Sequence, residues 1–345
     1  MPPPYKIIKH LNFYHMKFQG LLSKVRYMAA LAFATLAGVQ TVHAQQEVQY
    51  SQYMFNMLAV NPAYAGSRDV LSMTGLYRQQ WVGLEGAPTT QSFTIDMPIS
   101  KEKVGIGLQA YNDQIGVFKN TGVYLSYAYR VKVSQRTTLA MGVQGGATNL
   151  TGNLLGVQRT LTGADADPAF AGNISKWLPN VGAGLYLSND RGYIGFSCPS
   201  IVQNAFRDGT GSSDSSARQQ RHYFLMLGFV VPLGRSLALK PSILAKATRD
   251  AAAFDFNLNL WIKDRIALGG SWRTNNKNFS SPFSNQNGDA VVAMLEIQAT
   301  DQFRLGYAYD FALNGVRTKQ NGTHEVMLRY EFGYRKAKIL SPRYF

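Results

Sequence analysis

The sequence predicts an all-β chain that closes into a transmembrane antiparallel β-barrel of outer-membrane type, with about 14 strands. Three observations predict it. A charged and then apolar leader opens the chain, an alternation of period two dominates from residue 69 onward, and the connections between the alternating runs are short and long in turn.

The leader comes first. Lys24 and Arg26 precede an apolar stretch from Met28 to Val39, and Val42-His43-Ala44 then stands before Gln45. A charged region, a short apolar region and small residues at a cleavage position form an export signal, too short to cross a bilayer as a helix. Residues 1–44 are therefore set apart from the fold as leader and signal peptide, and the 27 residues before Met28 read as extra leader. No later segment offers about 18 continuous apolar residues, so no transmembrane helix is expected.

The alternating runs follow. The first, 69–78, has apolar residues on both faces, and the second, 91–97, is short. After 103–112 comes 121–132, where Val123, Leu125, Tyr127, Tyr129 and Val131 alternate with Tyr124, Ser126, Ala128, Arg130 and Lys132. Runs at 137–148, 180–188, 192–198 and 222–231 lead to 236–247, in which Pro241 sits awkwardly because it cannot donate to a ladder. The clearest run is 253–263: Phe254, Phe256, Leu258, Leu260 and Ile262 alternate with Asp255, Asn257, Asn259, Trp261 and Lys263. The series closes with 265–273, 290–298, 302–311 and 324–333. Several runs have the 9–11 residues that a tilted strand needs to span a membrane.

The connections carry separate information. Pro98–Glu102, Val133–Arg136, Asn189–Arg191, Pro232–Arg235, Asp264 and Ala299–Asp301 are short. The intervening ones at 79–90, 113–120, 149–179, 199–221, 274–289 and 312–323 are long, and only 248–252 breaks the rhythm. Short turns at one end and long loops at the other is the outer-membrane layout, with both chain ends on the periplasmic, short-turn side. A soluble sandwich would also alternate, but it would not keep this rhythm, and its outward face would be polar.

Composition agrees. Charged residues are only 16% of the chain, while Tyr (19), Phe (19) and Gly (32) are plentiful, as an apolar belt and tight turns require. The formal charge is +15, of which five charges (Lys6, Lys9, Lys17, Lys24, Arg26) lie in the leader, leaving +10 on the rest. Those remaining cations are spread among strands and loops rather than gathered in a patch, which speaks against nucleic acid as a partner. The single Cys198 permits no internal disulfide.

The face opposite the apolar one points into the lumen. It includes Gly105, Gly107, Gly142, Gly182 and Gly184, together with Arg130, Lys132, Lys240, Lys246, Asp255, Lys263, Glu296, Arg304, Asp310 and Arg329. Such an interior is a solvated wall or a cavity for a plug or peptide. The segment 45–68, ahead of the barrel at 69–333, is available as an insert. Tyr50, Tyr53, Met54 and Met57 lie at helical spacing, and Asn61-Pro62 and Ala65-Gly66 are turn signals. The expectation is a short helix and a turn packed at the periplasmic mouth. A basic tail, 334–345, follows the barrel.

No catalytic constellation appears. His222 and His324 have no partner at metal-ligand spacing, and there is no Gly-x-Ser-x-Gly elbow. Asp165 and Asp167 lack the calcium-loop pattern, and Gly105-x-Gly107 lies inside a strand rather than at a phosphate loop. The expectation is no enzyme, no metal and no cofactor.

Several motifs resemble one family. Gln52-Tyr53-Met54 with Asn61-Pro62-Ala63-Tyr64-Ala65-Gly66 is similar to the opening of PorP/SprF proteins, outer-membrane components associated with the type IX secretion system of Bacteroidota. Tyr77-Arg78-Gln79-Gln80-Trp81 with Gly86-Ala87-Pro88, Asp167-Pro168-Ala169-Phe170 and Pro179-Asn180-Val181-Gly182-Ala183-Gly184 continue the likeness. So do Gly195-Phe196-Ser197-Cys198-Pro199, where Cys198 replaces an expected small aliphatic residue, and the ending Ser341-Pro342-Arg343-Tyr344-Phe345. The resemblance implies a non-enzymatic role. It points to export or surface anchoring of cargo with a type IX C-terminal signal domain, such as a gliding adhesin, alongside other secretion components and outer-membrane lipid. The motif residues Tyr53, Asn61, Pro62, Tyr64, Gly66, Arg78, Trp81, Arg343, Tyr344 and Phe345 are then the candidate partner contacts. Their plainer reading is structural: turns at Asn61, Pro62 and Gly66, and loop packing by Trp81. The rival function is a passive porin or small-solute channel, which would need an open lumen.

Overall fold

A computed structural model describes residues 48–99, 103–155, 172–206, 218–249, 251–274 and 289–332. The leader 1–44 and the tail 334–345 lie outside them.

The described strands form one antiparallel sheet closed on itself. In chain order they are β1 (Leu71–Gln79), β2 (Thr89–Ile99), β3 (Val104–Ile115), β4 (Phe118–Lys132) and β5 (Thr137–Gly152). Then come β6 (Ile174–Asn189), β7 (Gly192–Cys198), β8 (Tyr223–Phe229), β9 (Val231–Pro232) and β10 (Leu237–Ala247). The last five are β11 (Ala252–Ile262), β12 (Ile266–Arg273), β13 (Ala290–Gln298), β14 (Phe303–Ala312) and β15 (Thr323–Phe332). Each strand pairs with its sequence neighbours, except that β8 and β9 both pair with β10, and β1 also pairs with β15 from Leu71↔Phe332 to Gln79↔His324, which closes the ring. β9 continues β8 in one register: Ser242↔Gly228 and Leu239↔Val231 belong to the same ladder, so Pro241 falls opposite Phe229 at the interruption. A proline without an N–H explains the gap. Counting β8 and β9 as one stave, the barrel has fourteen.

Period two sorts the residues as lipid contact requires. Leu125, Val143, Val181 and Leu268 are exposed on the outside, while Ser126, Gln144, Asn180 and Asn259 are buried within. No helix among the described residues is long and apolar enough to cross a membrane; the strands do the crossing.

Two expectations change. The connection at 113–120 is not a loop, because β3 and β4 run on to a tight turn at Gly116 and Val117, where Gly116 takes φ 54. Likewise β5 and β6 reach Gly152 and back to Ile174. Sequence reading ended these strands early because their outer ends carry polar residues on both faces, such as Asn112, Asp113, Asn120 and Thr121. Beyond the bilayer nothing demands an apolar face. The second change concerns Lys132 and Lys263. Lys132 is exposed at the very end of β4, and Lys263 has left its strand for a turn with φ 49, so neither lines the lumen.

Candidate functional site: a plug in the lumen

The segment ahead of β1 fills the barrel. Instead of one helix at the mouth it forms three 3-10 turns, Tyr53–Phe55, Met57–Ala59 and Pro62–Tyr64, deep in the lumen. Asn56 (φ −135, ψ 56) is non-helical and Asn61 (φ −139, ψ 114) is extended between them, and Pro62 cannot continue a preceding helix. Asn61 Oδ1 accepts from Ala63 N at 2.9 Å, capping the last turn. Tyr53, Met57, Leu58, Ala63, Tyr64 and Ala65 are buried in the main apolar cluster with Ala128, Ala140, Tyr186 and Met226 of the wall.

The plug crosses the lumen lengthwise. Its beginning is held at the long-loop end. Ser51 Oγ lies 2.8 Å from both carboxylate oxygens of Asp310, and it accepts from Arg78 Nη1 at 2.8 Å and Arg273 Nη2 at 3.1 Å. The backbone N–H groups of Ser51 and Gln52 donate to Glu325 at 2.9 and 2.7 Å. Around this point a net of ion pairs links six strands. Arg78 pairs with Asp310 (2.8 Å) and Glu325 (3.0 Å), Arg273 with Asp255 (3.0 Å) and Asp310 (3.1 Å), and Lys246 with Asp255 (2.8 Å). Arg78, Asp310 and Glu325 are almost wholly buried.

Along the plug, polar contacts fix its path. Tyr53 OH lies between Ser242 Oγ (3.2 Å) and Asn257 Nδ2 (3.1 Å). Burial, and then the neighbouring Tyr193, push its phenol well above the usual tyrosine range, so it stays protonated. Thr94 donates to Asn56 Oδ1, Ser197 to Val60 O, and Asn61 Nδ2 to Leu185 O. At the short-turn end Gly66 N donates to Asp96 (2.9 Å), Gly66 O accepts from Arg130 Nη1 (2.7 Å), and Arg68 pairs with Glu331 (2.6 Å). Burial opposes the charge on Arg68, but Glu331 and Tyr64 outweigh it and hold the guanidinium above its ordinary range.

The luminal glycines are the floor on which the plug rests. A Cβ on Gly105 would collide with the carbonyl of Ala65, and one on Gly142 with the backbone of Pro62 and Ala63. The space that small residues leave in the wall is thus taken by backbone of the same chain.

The sequence matches a family model described as type IX secretion system membrane protein PorP/SprF over residues 42–330. The chain belongs to the PorP/SprF family. Its place is the outer membrane. No curated protein matches it. Among solved structures it is similar to the CymD monoaromatic hydrocarbon channel, with 10% identity and a TM-score of 0.46 over 85% of this chain and 95% of that one. It is also similar to the Ralstonia pickettii toluene transporter TbuX, with 11% identity and a TM-score of 0.46 over 79% and 92%. A third is the KdgM porin, with 9% identity and a TM-score of 0.35 over 76% and 99%.

In this PorP/SprF chain the candidate residues fall into three groups. Tyr53, Asn61, Pro62, Tyr64 and Gly66 belong to the plug, and all are buried in the lumen. Arg78 sits in the ionic net, and Trp81 lies in the adjoining loop with φ 47, its N–H donating to Thr323 Oγ1 at 3.1 Å. Arg343, Tyr344 and Phe345 lie outside the described residues. Sequence reasoning placed Asp255, Asp310 and Lys246 on the luminal face but did not single out Ser51, Arg273, Glu325 or Glu331. Their signal was parity: each wall residue alternates with lipid-facing neighbours such as Trp272, Val326 and Tyr330.

Proposed function

We propose that this PorP/SprF barrel is a non-enzymatic partner in type IX export. It assists release or surface anchoring of cargo that carries a C-terminal signal domain, in the manner of a gliding adhesin, together with other components of the machinery. In this reading the short turns and both chain termini face the periplasm. The observation that carries it beyond family membership is the filled lumen. A passive porin needs a continuous aqueous path, and here the chain's own residues 48–68 occupy it, touching staves all round the ring. A barrel closed in this way serves better as a rigid membrane platform than as a conduit. Direct partner contacts then fall to Trp81 at the long-loop rim and to the tail residues Arg343, Tyr344 and Phe345, while the buried Tyr53, Asn61, Pro62, Tyr64, Gly66 and Arg78 serve the partner indirectly by seating the plug.

The test compares surface and secreted proteomes of a clean deletion strain with its parent. One or a few large proteins with type IX C-terminal domains should vanish from the surface, and the intact gene should restore them. An unchanged proteome with reduced small-solute uptake would replace this reading with the channel.

A further inference from the structure

On the outer wall, β14 and β15 change character toward their long-loop ends. Lower down, the directly opposed Leu305 and Leu328 face outward. Toward the long loops β14 turns aromatic, with Tyr307, Tyr309 and Phe311 at successive outward positions. Tyr307 is 40% exposed and Phe311 43%. His324 of β15 lies directly opposite Tyr309. Its Nδ1 is 2.7 Å from Tyr307 OH, and its ring meets the Tyr309 ring edge-on with centroids 5.2 Å apart.

The loop that joins these strands adds charge. Its 3-10 turn, Arg317–Lys319, is exposed throughout. The Arg317 guanidinium lies 4.9 Å from the centre of the Phe311 ring. Phe311 thus draws a cation down onto the lipid-facing wall and holds it there without neutralising it. The end of the loop is pinned to the same wall. Gly322 takes φ 90, and a Cβ there would run into the Tyr309 ring, whose OH donates to Asn321 O at 3.3 Å. The opposite boundary is built differently. There Tyr330 and Phe332 pack edge to face with centroids 4.6 Å apart, and Arg265 of that rim is paired with Asp301.

We propose that this panel seats the headgroup of a phosphorylated glycolipid, with the phosphate on Arg317 and Lys319 and the sugar on the aromatic side chains. The planar fork of arginine matches phosphate oxygens with paired hydrogen bonds, and Lys319 adds a point charge. Aromatic faces accept the C–H face of a sugar ring, while tyrosine hydroxyls and the second ring nitrogen of His324 meet its hydroxyls. The acyl chains then run down the wall over Leu305 and Leu328. A simple phospholipid would use the cations and leave most of the panel idle. Long loops facing the cell surface, as proposed above, put the site in the outer leaflet. Binding by the purified protein depends neither on that orientation nor on export, so the two readings fail separately.

The test is titration of the purified full-length protein in detergent micelles, with diphosphoryl lipid A in one arm and dioleoyl phosphatidylglycerol in the other, bound lipid being counted by native mass spectrometry. Saturable retention of lipid A is expected, with clearly weaker retention of phosphatidylglycerol. Arg317→Gln should weaken lipid A binding about tenfold, the size of one charged hydrogen bond. Tyr309→Leu should weaken it by a smaller factor, and Tyr330→Leu, at the opposite boundary, should leave it unchanged. Should Tyr309→Leu fail to fold, as read by the heat-dependent gel mobility of the barrel, Arg317→Gln in its exposed loop still decides. No saturable lipid A binding, equal affinity for the two lipids, or affinity unmoved by Arg317→Gln would overturn the proposal.

Discussion

The two ends of the lumen use the same side chains to different ends. At the long-loop end Arg78, Arg273 and Lys246 are matched by Asp255, Asp310 and Glu325, and Ser51 of the plug sits in the middle of the net. At the short-turn end Arg68 of the plug pairs with Glu331, Arg130 with Asp69 just ahead of β1, and Arg304 with Glu296. A matched buried net contributes little to stability relative to an apolar core, but it tolerates few arrangements, so it fixes position. The first end is a bolt. The second is a clasp, in which the plug itself supplies a charge, Arg68. What separates them is not composition but whether the charges come from the wall alone or from the plug as well.

The sharpest way to break the bolt is Arg78→Met. It removes two ion pairs and a hydrogen bond to Ser51 while leaving Glu325 buried, a loss of about 3–5 kcal/mol for a buried pair stripped of one member. The expected outcome is a barrel that still forms but unfolds at lower temperature and conducts in planar bilayers as the plug's leading end comes free. Unchanged conductance and unfolding would mean that the net is a bystander to plug seating.

A steric version of the same comparison uses two glycines of β5. Gly142→Val drives a side chain into Pro62 and Ala63, whereas a Cβ on Gly145 meets nothing within 4 Å. Overpacking of this kind costs about 1–3 kcal/mol. Gly142→Val should lower the unfolding temperature and raise conductance, and Gly145→Val should do neither. Equal effects would show that strand glycines matter for backbone reasons and not as the floor of the plug.

A smaller effect should appear with pH. The folded protein raises the Tyr53 phenol above its free value, so neutral Tyr53 is favoured by folding. Its contribution is complete below about pH 10, the unfolded value, and is lost as pH rises beyond it. Thermal unfolding of the parent should therefore fall more steeply above about pH 10 than that of Tyr53→Phe. At neutral pH the variant should be only slightly less stable, by about 1 kcal/mol for the lost hydrogen bonds to Ser242 and Asn257. Parallel pH profiles would place the alkaline sensitivity elsewhere.

These contrasts show what was legible in the sequence. The wall was, because lipid imposes one rule on every outward position: Phe254, Phe256, Leu258, Leu260 and Ile262 could face only outward once the chain spans a bilayer. The strand extensions beyond the bilayer were not, since Asn112, Asp113, Asn120 and Thr121 obey no such rule. The plug was half legible. Asn61, Pro62 and Gly66 announced turns, but nothing local told that Ser51 would meet Asp310, 259 positions away, or that Gly142 was small to admit Ala63. Partners in a closed lumen are set by ring closure, which a single sequence does not display. Parity nominates the inward residues; only the ring says which of them meet.

The smallest expected effect tests whether location or charge pairing decides. Arg265 and Asp301 form an ion pair at 3.1 Å in the short turns, with side chains 53% and 76% exposed. Both remain hydrated, and holding two long side chains together costs entropy, so the pair is worth under about 0.5 kcal/mol. Arg265→Ala should leave the unfolding temperature and conductance at parental values. The pair resembles Arg78–Asp310 in chemistry and differs only in burial and in having no plug residue between its partners. A large loss on Arg265→Ala would mean that stability follows the number of ion pairs anywhere on the barrel. In that case the long-loop net could no longer be assigned to the plug, and Arg78→Met would have to be read as one broken pair among many. A silent Arg265→Ala beside a damaging Arg78→Met isolates the plug as the reason the buried net matters.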